Sequence, residues 1–126
     1  MKKKKVILDT SFILSCVKEK KDFIQAEDYG ELLLPELVVK ELKKKAEEGK
    51  GKEREVAELA LEIIRKNKKK FRFIKLEKGY VDAGILKYAQ DKERIIVATL
   101  DRDLKRKLKG KARILTLRAR KKLVFG

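Results

Sequence analysis

The stretch IIVATLD, residues 95–101, is an unbroken apolar run that ends in an aspartate, Asp101. The stretch VILD, residues 6–9, has the same form and ends in Asp9. Unbroken apolar runs of this length are typical of strands that are covered on both faces, as in a parallel sheet. Because ligands of open parallel sheets lie beyond the carboxyl ends of the strands, both aspartates are predicted to lie at the ligand-binding edge.

Strands and helices are predicted to alternate along the rest of the chain. Further strands are predicted at 32–34, 71–75 and 112–117, and residues 123–125 are expected to pack as a tail. Helices are predicted at 10–18, 22–29, from Pro35 to about 46, 53–67, 79–90 and 101–108. This order predicts an α/β fold in which helices cover both faces of a central parallel sheet, and one domain spans residues 1–126.

The charge of the chain favours a polyanionic partner. With 36 basic and 20 acidic residues, the net charge is +16, and lysine and arginine bind phosphates by displacing counterions. A solubility device is the alternative explanation of that charge. No apolar run is long enough to span a bilayer, and no signal cleavage site follows the first lysines. A cytoplasmic protein without membrane contact is therefore expected.

Two further acids lie on the apolar faces of predicted helices, Glu41 beside Leu42 and Asp82 beside Ile85. Four buried carboxylates in one cleft repel one another and are costly to desolvate, so a bound cation is the simplest common cause. Each acid also has a structural explanation. Asp9 and Asp101 could cap helices, Asp82 could offset a helix dipole, and Glu41 could pair with Lys45.

The residue types narrow the choice of metal ion. The chain has no histidine and one cysteine, Cys16, which is predicted to be a buried apolar residue. Zinc, copper and iron would lack their favoured ligands, whereas carboxylates suit Mg²⁺ or Mn²⁺. Asp103 adds a fifth carboxylate, and nearby hydroxyls could orient a carboxylate or cap a helix, those of Thr10, Ser11 and Thr99. Metal-assisted chemistry on a phosphodiester is the reaction that this group of residues predicts.

The segment 102–122 holds eleven basic residues and one acid. Its basic residues begin beside the predicted metal site, where phosphates crossing an acidic cleft would need positive charge. Nucleic-acid-binding residues are therefore predicted at Arg102, Lys105, Arg106 and Lys109. A solvated helix face is the alternative explanation.

The ordered motifs resemble the PIN-domain ribonucleases. They are VILDTS at 6–11, LPELVVKEL at 34–42, VDAGI at 81–85 and IVATLDRDL at 96–104. The segment ATLDRDLK at 98–105 is most similar to small stand-alone archaeal PIN proteins related to a eukaryotic factor of small-subunit rRNA processing.

This resemblance implies a three-layer α/β/α sandwich and Mg²⁺- or Mn²⁺-dependent endonucleolytic cleavage of single-stranded RNA. By position, the metal-binding and catalytic acids would be Asp9, Glu41, Asp82 and Asp101. Asp103 would be an auxiliary catalytic acid, and Ser11 and Thr99 would be supporting hydroxyls. Leu100 replaces a polar residue of similar proteins, and the family suggests a homodimer.

The sequence is compatible with several functions. The leading hypothesis is an endoribonuclease that acts on pre-rRNA. One alternative is the toxin ribonuclease of a toxin–antitoxin pair, and another is a non-catalytic RNA-binding factor in ribosome assembly. A Toprim-like site uses one Glu and an Asp-x-Asp pair, and it would leave Asp9 and Asp82 without a role.

Overall fold

A computed structural model describes residues 4–77, 80–91, 95–118 and 122–126. The strands in these segments are β1 (Lys5–Leu8), β2 (Glu31–Pro35), β3 (Phe71–Ile74), β4 (Ile95–Ala98), β5 (Arg113–Arg118) and β6 (Lys122–Phe125). The α-helices are α1 (Thr10–Lys18), α2 (Glu36–Glu48), α3 (Lys52–Lys66), α4 (Val81–Asp91) and α5 (Arg102–Leu108). Two 3₁₀ helices cover Phe23–Tyr29 and Lys68–Lys70.

The strands form one sheet in the order β3-β2-β1-β4-β5-β6. The pairs from β3 through β5 are parallel, which confirms the predicted central parallel sheet. Starting at β1, the chain first builds the sheet to one side through β2 and β3 and then crosses back to β4 and β5. Because parallel crossovers are right-handed, this reversal places helices on both faces. The contacts agree, since α1 packs against α2 and α3, while α4 packs against α5.

The prediction that residues 123–125 pack as a tail is wrong, because they belong to a strand. Residues 122–125 form β6, which pairs antiparallel with β5, with Val124 opposite Thr116. The outer edge of β5 would otherwise leave its backbone N–H and C=O groups unpaired, and β6 satisfies them.

The apolar runs of β1 and β4 form the centre of the core. Every residue of 6–8 and 96–98 is at most 1% exposed, because β1 and β4 have neighbouring strands on both sides and helices on both faces. Cys16 is fully buried in α1, as predicted, and burial raises the pKa of its thiol to about 12. No helix in the described segments is long and apolar enough to cross a membrane.

The helix beginnings place acidic residues at the carboxyl ends of the strands. A single residue, Asp9, separates β1 from α1 and is the N-cap of α1, and Asp101 is the N-cap of α5. The helix predicted at 22–29 is a 3₁₀ helix, and Asp22 caps it by accepting a hydrogen bond from the Ile24 N–H at 2.9 Å. The helix predicted from residue 79 begins at Val81, and Gly79 lies outside the described residues.

Candidate active site

Asp9 and Asp101 follow two strands that are neighbours in the sheet. β1 and β4 pair in parallel with Leu8 opposite Ala98, so the residues after them lie side by side at one edge. The winding direction reverses between these two strands, and such a switch point opens a crevice where α/β proteins bind ligands. We call the four acids at this edge the acidic rim, which consists of Asp9, Glu41, Asp82 and Asp101.

Two hydroxyls hold the Asp9 carboxylate. Ser11 Oγ donates to Asp9 Oδ2 at 2.7 Å, and Thr99 Oγ1 donates to the same oxygen at 2.7 Å. Although Asp9 occupies the N-cap of α1, its side chain makes no capping hydrogen bond. Asp9 is 3% exposed, so its carboxyl group is held in the core mainly by two hydroxyl donors. Helix capping therefore does not account for this residue.

Asp101 caps a helix and is also linked to Asp9. Its Oδ1 accepts a hydrogen bond from the Leu104 N–H at 3.0 Å and thereby caps α5. Thr99 links it to Asp9, since the Asp101 N–H donates to Thr99 Oγ1 at 3.0 Å. The two central aspartates thus share Thr99, so a change at this buried threonine would disturb both.

Glu41 reaches the rim from α2, but it is exposed rather than buried as its helical face suggested. Its Oε1 accepts a hydrogen bond from Thr10 Oγ1, across thirty-one positions of sequence. The alternative pairing with Lys45 does not form, because Lys45 pairs with Glu53 at 3.6 Å. Thr10 is thus a positioning residue whose partner the sequence did not indicate.

The pKa shifts indicate that these acids act on one another. Burial raises the pKa of Asp9, and the charge of Asp101 adds to this rise, whereas the hydrogen bonds from Thr99 and Ser11 oppose it. For Asp82, burial raises the pKa most, followed by the charges of Asp9, Asp101 and Glu41. Half-buried Asp82 lies in the first turn of α4. All four acids therefore contribute to one negative potential.

The donor set fits a hard divalent cation. It consists of carboxylates, whose mutual repulsion a cation would relieve, and the chain has no histidine. Within the described segments, no three Asp, Glu, Cys or His side chains converge closely enough to enclose an ion by themselves. Magnesium commonly uses few carboxylates together with water and substrate phosphate, so an open rim of this kind suits it. The metal-binding roles of the four acids remain predictions.

The remaining predicted residues lie on α5. Asp103 is exposed and forms an ion pair with Arg106 at 2.9 Å, so it points to solvent rather than into the rim. Its auxiliary role stays a prediction. Arg102, Arg106 and Lys109 are exposed, and Lys105 is half-buried. Burial, followed by the charges of Arg102 and Arg118, lowers the pKa of Lys105.

Comparisons with known proteins agree with this arrangement. A family model described as a PIN like domain matches residues 6–120. The chain is 32% identical over 111 residues to Ribonuclease VapC4 of Methanocaldococcus jannaschii, with 82% of each chain covered.

Two solved structures share the fold. The PIN domain endonuclease Utp24 matches with a TM-score of 0.75 at 24% identity, covering 96% of this chain and 90% of that one. PAE2754 from Pyrobaculum aerophilum matches with a TM-score of 0.57 at 18% identity, covering 86% and 83%. The residues matched by the family model include all four acids of the rim. The chain therefore belongs to the PIN-like domain family.

Proposed function

We propose that this protein is a divalent-metal-dependent endoribonuclease that cleaves single-stranded RNA at the acidic rim. The observation that carries the proposal is geometric, since the buried Asp9 carboxyl and the Asp101 N–H both bond to Thr99 at the carboxyl ends of neighbouring strands. The charges of Asp9, Asp101 and Glu41 also raise the pKa of Asp82, while the charge of Lys107 lowers it. Ion pairing does not explain this grouping of acids, because no ion pair among the described residues includes any of the four. The family and the ribonuclease relative support the same reaction.

Each group of residues at the rim would have its own role in this reaction. Asp9, Glu41, Asp82 and Asp101 would hold Mg²⁺ or Mn²⁺, which supplies Lewis-acid chemistry at a phosphodiester when bound. Ser11 and Thr99 fix the Asp9 carboxylate through Oδ2, and Thr10 fixes Glu41. These hydroxyls hold both acids in position before substrate arrives, and such preorganisation of supporting groups strengthens metal sites.

The RNA backbone would approach the rim across the basic residues of α5. Arg102 follows Asp101 directly, and Lys105 lies one turn further. The positive charge at the border of the cleft attracts phosphates, and the negative charge of the rim attracts cations. We further propose that the protein works in the cytoplasm. We also propose that it forms a homodimer, because the family resemblance suggests one.

Two biological settings fit this activity. The resemblance of residues 98–105 to archaeal PIN proteins related to a factor of small-subunit rRNA processing favours processing of pre-rRNA. A toxin that an antitoxin inhibits is the alternative setting, and it would use the same ribonuclease activity that the 32% identical relative is named for. Growth of cells expressing the protein separates them, since a toxin arrests growth unless an adjacent small gene is co-expressed.

The decisive experiment incubates labelled unstructured RNA with the wild type and with Asp9→Asn, each with Mn²⁺ or with EDTA. Cleavage is expected only for the wild type with Mn²⁺, and the variant should lose at least about 100-fold in rate. Asp28→Asn is the matched control, because Asp28 is exposed and far from the rim in sequence. RNA binding that survives in Asp9→Asn and Asp101→Asn, without cleavage by the wild type, would instead indicate a non-catalytic ribosome-assembly factor.

A further inference from the structure

A second concave surface, the α5–β6 cleft, lies between α5 and the outer edge of the sheet. It has a volume of about 660 Å³, within the range of small-molecule binding pockets. Four of its lining side chains are cationic and none is acidic. The lining residues that matter here are Lys105, Arg106, Lys109, Arg113 and Phe125.

The α5–β6 cleft lies at the end of the sheet opposite to the acidic rim. Arg113 is the first residue of β5, and Phe125, near the end of the antiparallel β6, lies opposite Leu115. Both therefore sit toward the amino end of the parallel strands. α5 begins at the rim and runs toward the cleft, and from Asp101 to Lys109 it covers about 12 Å along its axis. A single strand of a few nucleotides could follow this helix from one site to the other.

Arg113 is held against an aromatic ring rather than a carboxylate. Its guanidinium carbon lies 3.8 Å from the centroid of the Phe125 ring. Tyr29 supports that ring edge-on, with centroids 5.1 Å apart and an interplanar angle of 85°. None of the ion pairs among the described residues includes Arg113, and its side chain is exposed. A guanidinium fixed on a ring is a stacking surface for a nucleobase.

Most cations around this surface have no carboxylate partner among the described residues. Arg106 is the exception, since it forms an ion pair with Asp103 at 2.9 Å. Lys105 and Lys109 have no ion pair among the described residues. Arg102 and Arg118 are close enough to Lys105 for their charges to act on its ammonium group. A bound polyanion would relieve this repulsion, as phosphates do in nucleic-acid complexes.

We propose that the α5–β6 cleft binds a nucleotide of the same RNA strand that the acidic rim cleaves. Its base stacks on Arg113, and Lys105 and Lys109 contact its phosphates. This inference rests on the proposed nuclease function and adds a subsite remote from the reacting phosphate. An acidic protein segment would use the same cations but would gain nothing from the Arg113–Phe125 stack, so RNA is the ligand that the whole cleft fits.

The test measures equilibrium binding of labelled RNA in EDTA, where cleavage cannot occur. The variant Arg113→Gln/Phe125→Leu should bind long unstructured RNA about tenfold more weakly than the wild type, since it removes both a stacking surface and a cation. A short oligonucleotide that covers only the acidic rim should bind equally well to both proteins. With Mn²⁺, cleavage of this short RNA should be unchanged, while cleavage of subsaturating long RNA should slow about tenfold.

A control of equal charge change removes one cation and one aromatic ring at the other edge of the sheet. Lys69→Gln/Phe73→Leu removes an exposed cation that precedes β3 and an exposed ring within β3, and it should bind long RNA as the wild type does. The single variants Arg113→Gln and Arg113→Lys guard against unfolding caused by loss of Phe125. Arg113→Lys keeps the charge but not the planar group, so it should recover the salt dependence of binding without the full affinity.

Wild-type affinity of Arg113→Gln/Phe125→Leu for long RNA would overturn the proposal and would leave the cleft to another anion, such as an acidic protein segment. Full recovery by Arg113→Lys would overturn the stacking role. Equal weakening for short and long RNA would also overturn the remote subsite, because the effect would then arise at the rim. A wild type that binds long RNA through this cleft but cleaves neither RNA would overturn the nuclease function alone.

Discussion

Asp9 is the residue whose charge conflicts most with its surroundings. It is 3% exposed, and its stabilising partners are the hydroxyls of Ser11 and Thr99. Hydroxyls offset only part of the cost of burying a carboxylate, which is why its pKa remains raised above the ordinary value of 3.8. The residue would be costly in a protein that used it only for structure, and a bound cation would remove that cost.

The pH dependence of stability follows from this shift. Because the folded-state pKa of Asp9 is raised, the metal-free protein gains stability from Asp9 protonation that is complete below pH 3.8. That contribution disappears as the pH rises through the folded-state pKa. Each pKa unit of difference between the folded and unfolded states corresponds to about 1.4 kcal/mol. The free energy of unfolding of the wild type, relative to that of Asp9→Asn, should therefore decrease as the pH rises.

Urea unfolding in EDTA at a series of pH values measures this difference. Asp28→Asn should follow the wild type, because its side chain is exposed. A difference between wild type and Asp9→Asn that stays constant with pH would mean that Asp9 has the same pKa in the folded and unfolded states.

The acids at strand ends were predictable, and their neighbours were not. Asp9 and Asp101 each end an apolar run, so the rule for parallel sheets places them correctly. Helical periodicity put Glu41 on the face of Leu42, but it carries no information on whether that face is covered near the sheet edge, and Glu41 is exposed. The hydrogen bond from Thr10 to Glu41 joins residues thirty-one positions apart, which no local pattern encodes.

At the scale of elements, the packing of α4 fixes the position of Asp82. Gly84 faces Leu76, and a Cβ added at residue 84 would lie 2.6 Å from the Cβ of Leu76. Gly84→Ala should therefore displace α4 and cost about 1–3 kcal/mol of stability. Because Asp82 is two residues away, the cleavage rate should fall by about 10- to 100-fold, as small displacements of catalytic groups do.

The control for this helix is Ala83→Gly. Residue 83 is exposed, and the change costs about 1 kcal/mol through helix propensity without moving α4 toward Leu76. Thermal melting and single-turnover cleavage should be measured for both variants. Equal loss of stability with equal activity would show that Gly84 does not position Asp82.

The basic residues of α5 are the element proposed to bind the RNA backbone. Replacing Lys105, Arg106 and Lys109 together by Gln should weaken RNA binding and flatten its salt dependence. The slope of log K against log salt should become shallower by about 0.7 for each phosphate that the variant no longer neutralises, or about 2 for the triple variant. Arg106 should contribute least, because Asp103 already pairs with it.

Binding of labelled RNA in EDTA over a range of salt concentrations tests this expectation. The triple variant Lys18→Gln/Lys68→Gln/Lys69→Gln removes the same charge from exposed positions on other elements. If both triple variants changed the slope equally, net charge rather than α5 would govern binding.

The short edge strand β6 shows where prediction of elements from sequence ends. The central strands are predicted because burial on both faces requires unbroken apolar runs. Two residues of β6 are half-buried and two are exposed, so its strand form depends on its pairing with β5. Its ring at Phe125, which supports Arg113, could therefore not be assigned to a binding surface from sequence.

The whole molecule places a cluster of negative charge on a protein of net charge +16. In the absence of metal, the four acids of the rim repel one another. Bound to the folded state alone, a divalent cation would add stability, by about 2.7 kcal/mol at one hundred times its Kd. For a domain of this size that increment raises the melting temperature by several degrees.

Repulsion without metal and stabilisation with metal together predict a crossing of stabilities. In EDTA, Asp82→Asn should melt at or above the temperature of the wild type, because the repulsion from three acids outweighs the attraction of Lys107. No ion pair among the described residues involves Asp82. With millimolar Mg²⁺ or Mn²⁺, the wild type should become the more stable protein, while Asp82→Asn should gain little.

Asp28→Asn should respond to both ions as the wild type does, because Asp28 is not part of the rim. A wild-type melting temperature indifferent to both ions would contradict a metal site at the rim. Equal stabilisation of wild type and Asp82→Asn would place the ion elsewhere on the molecule.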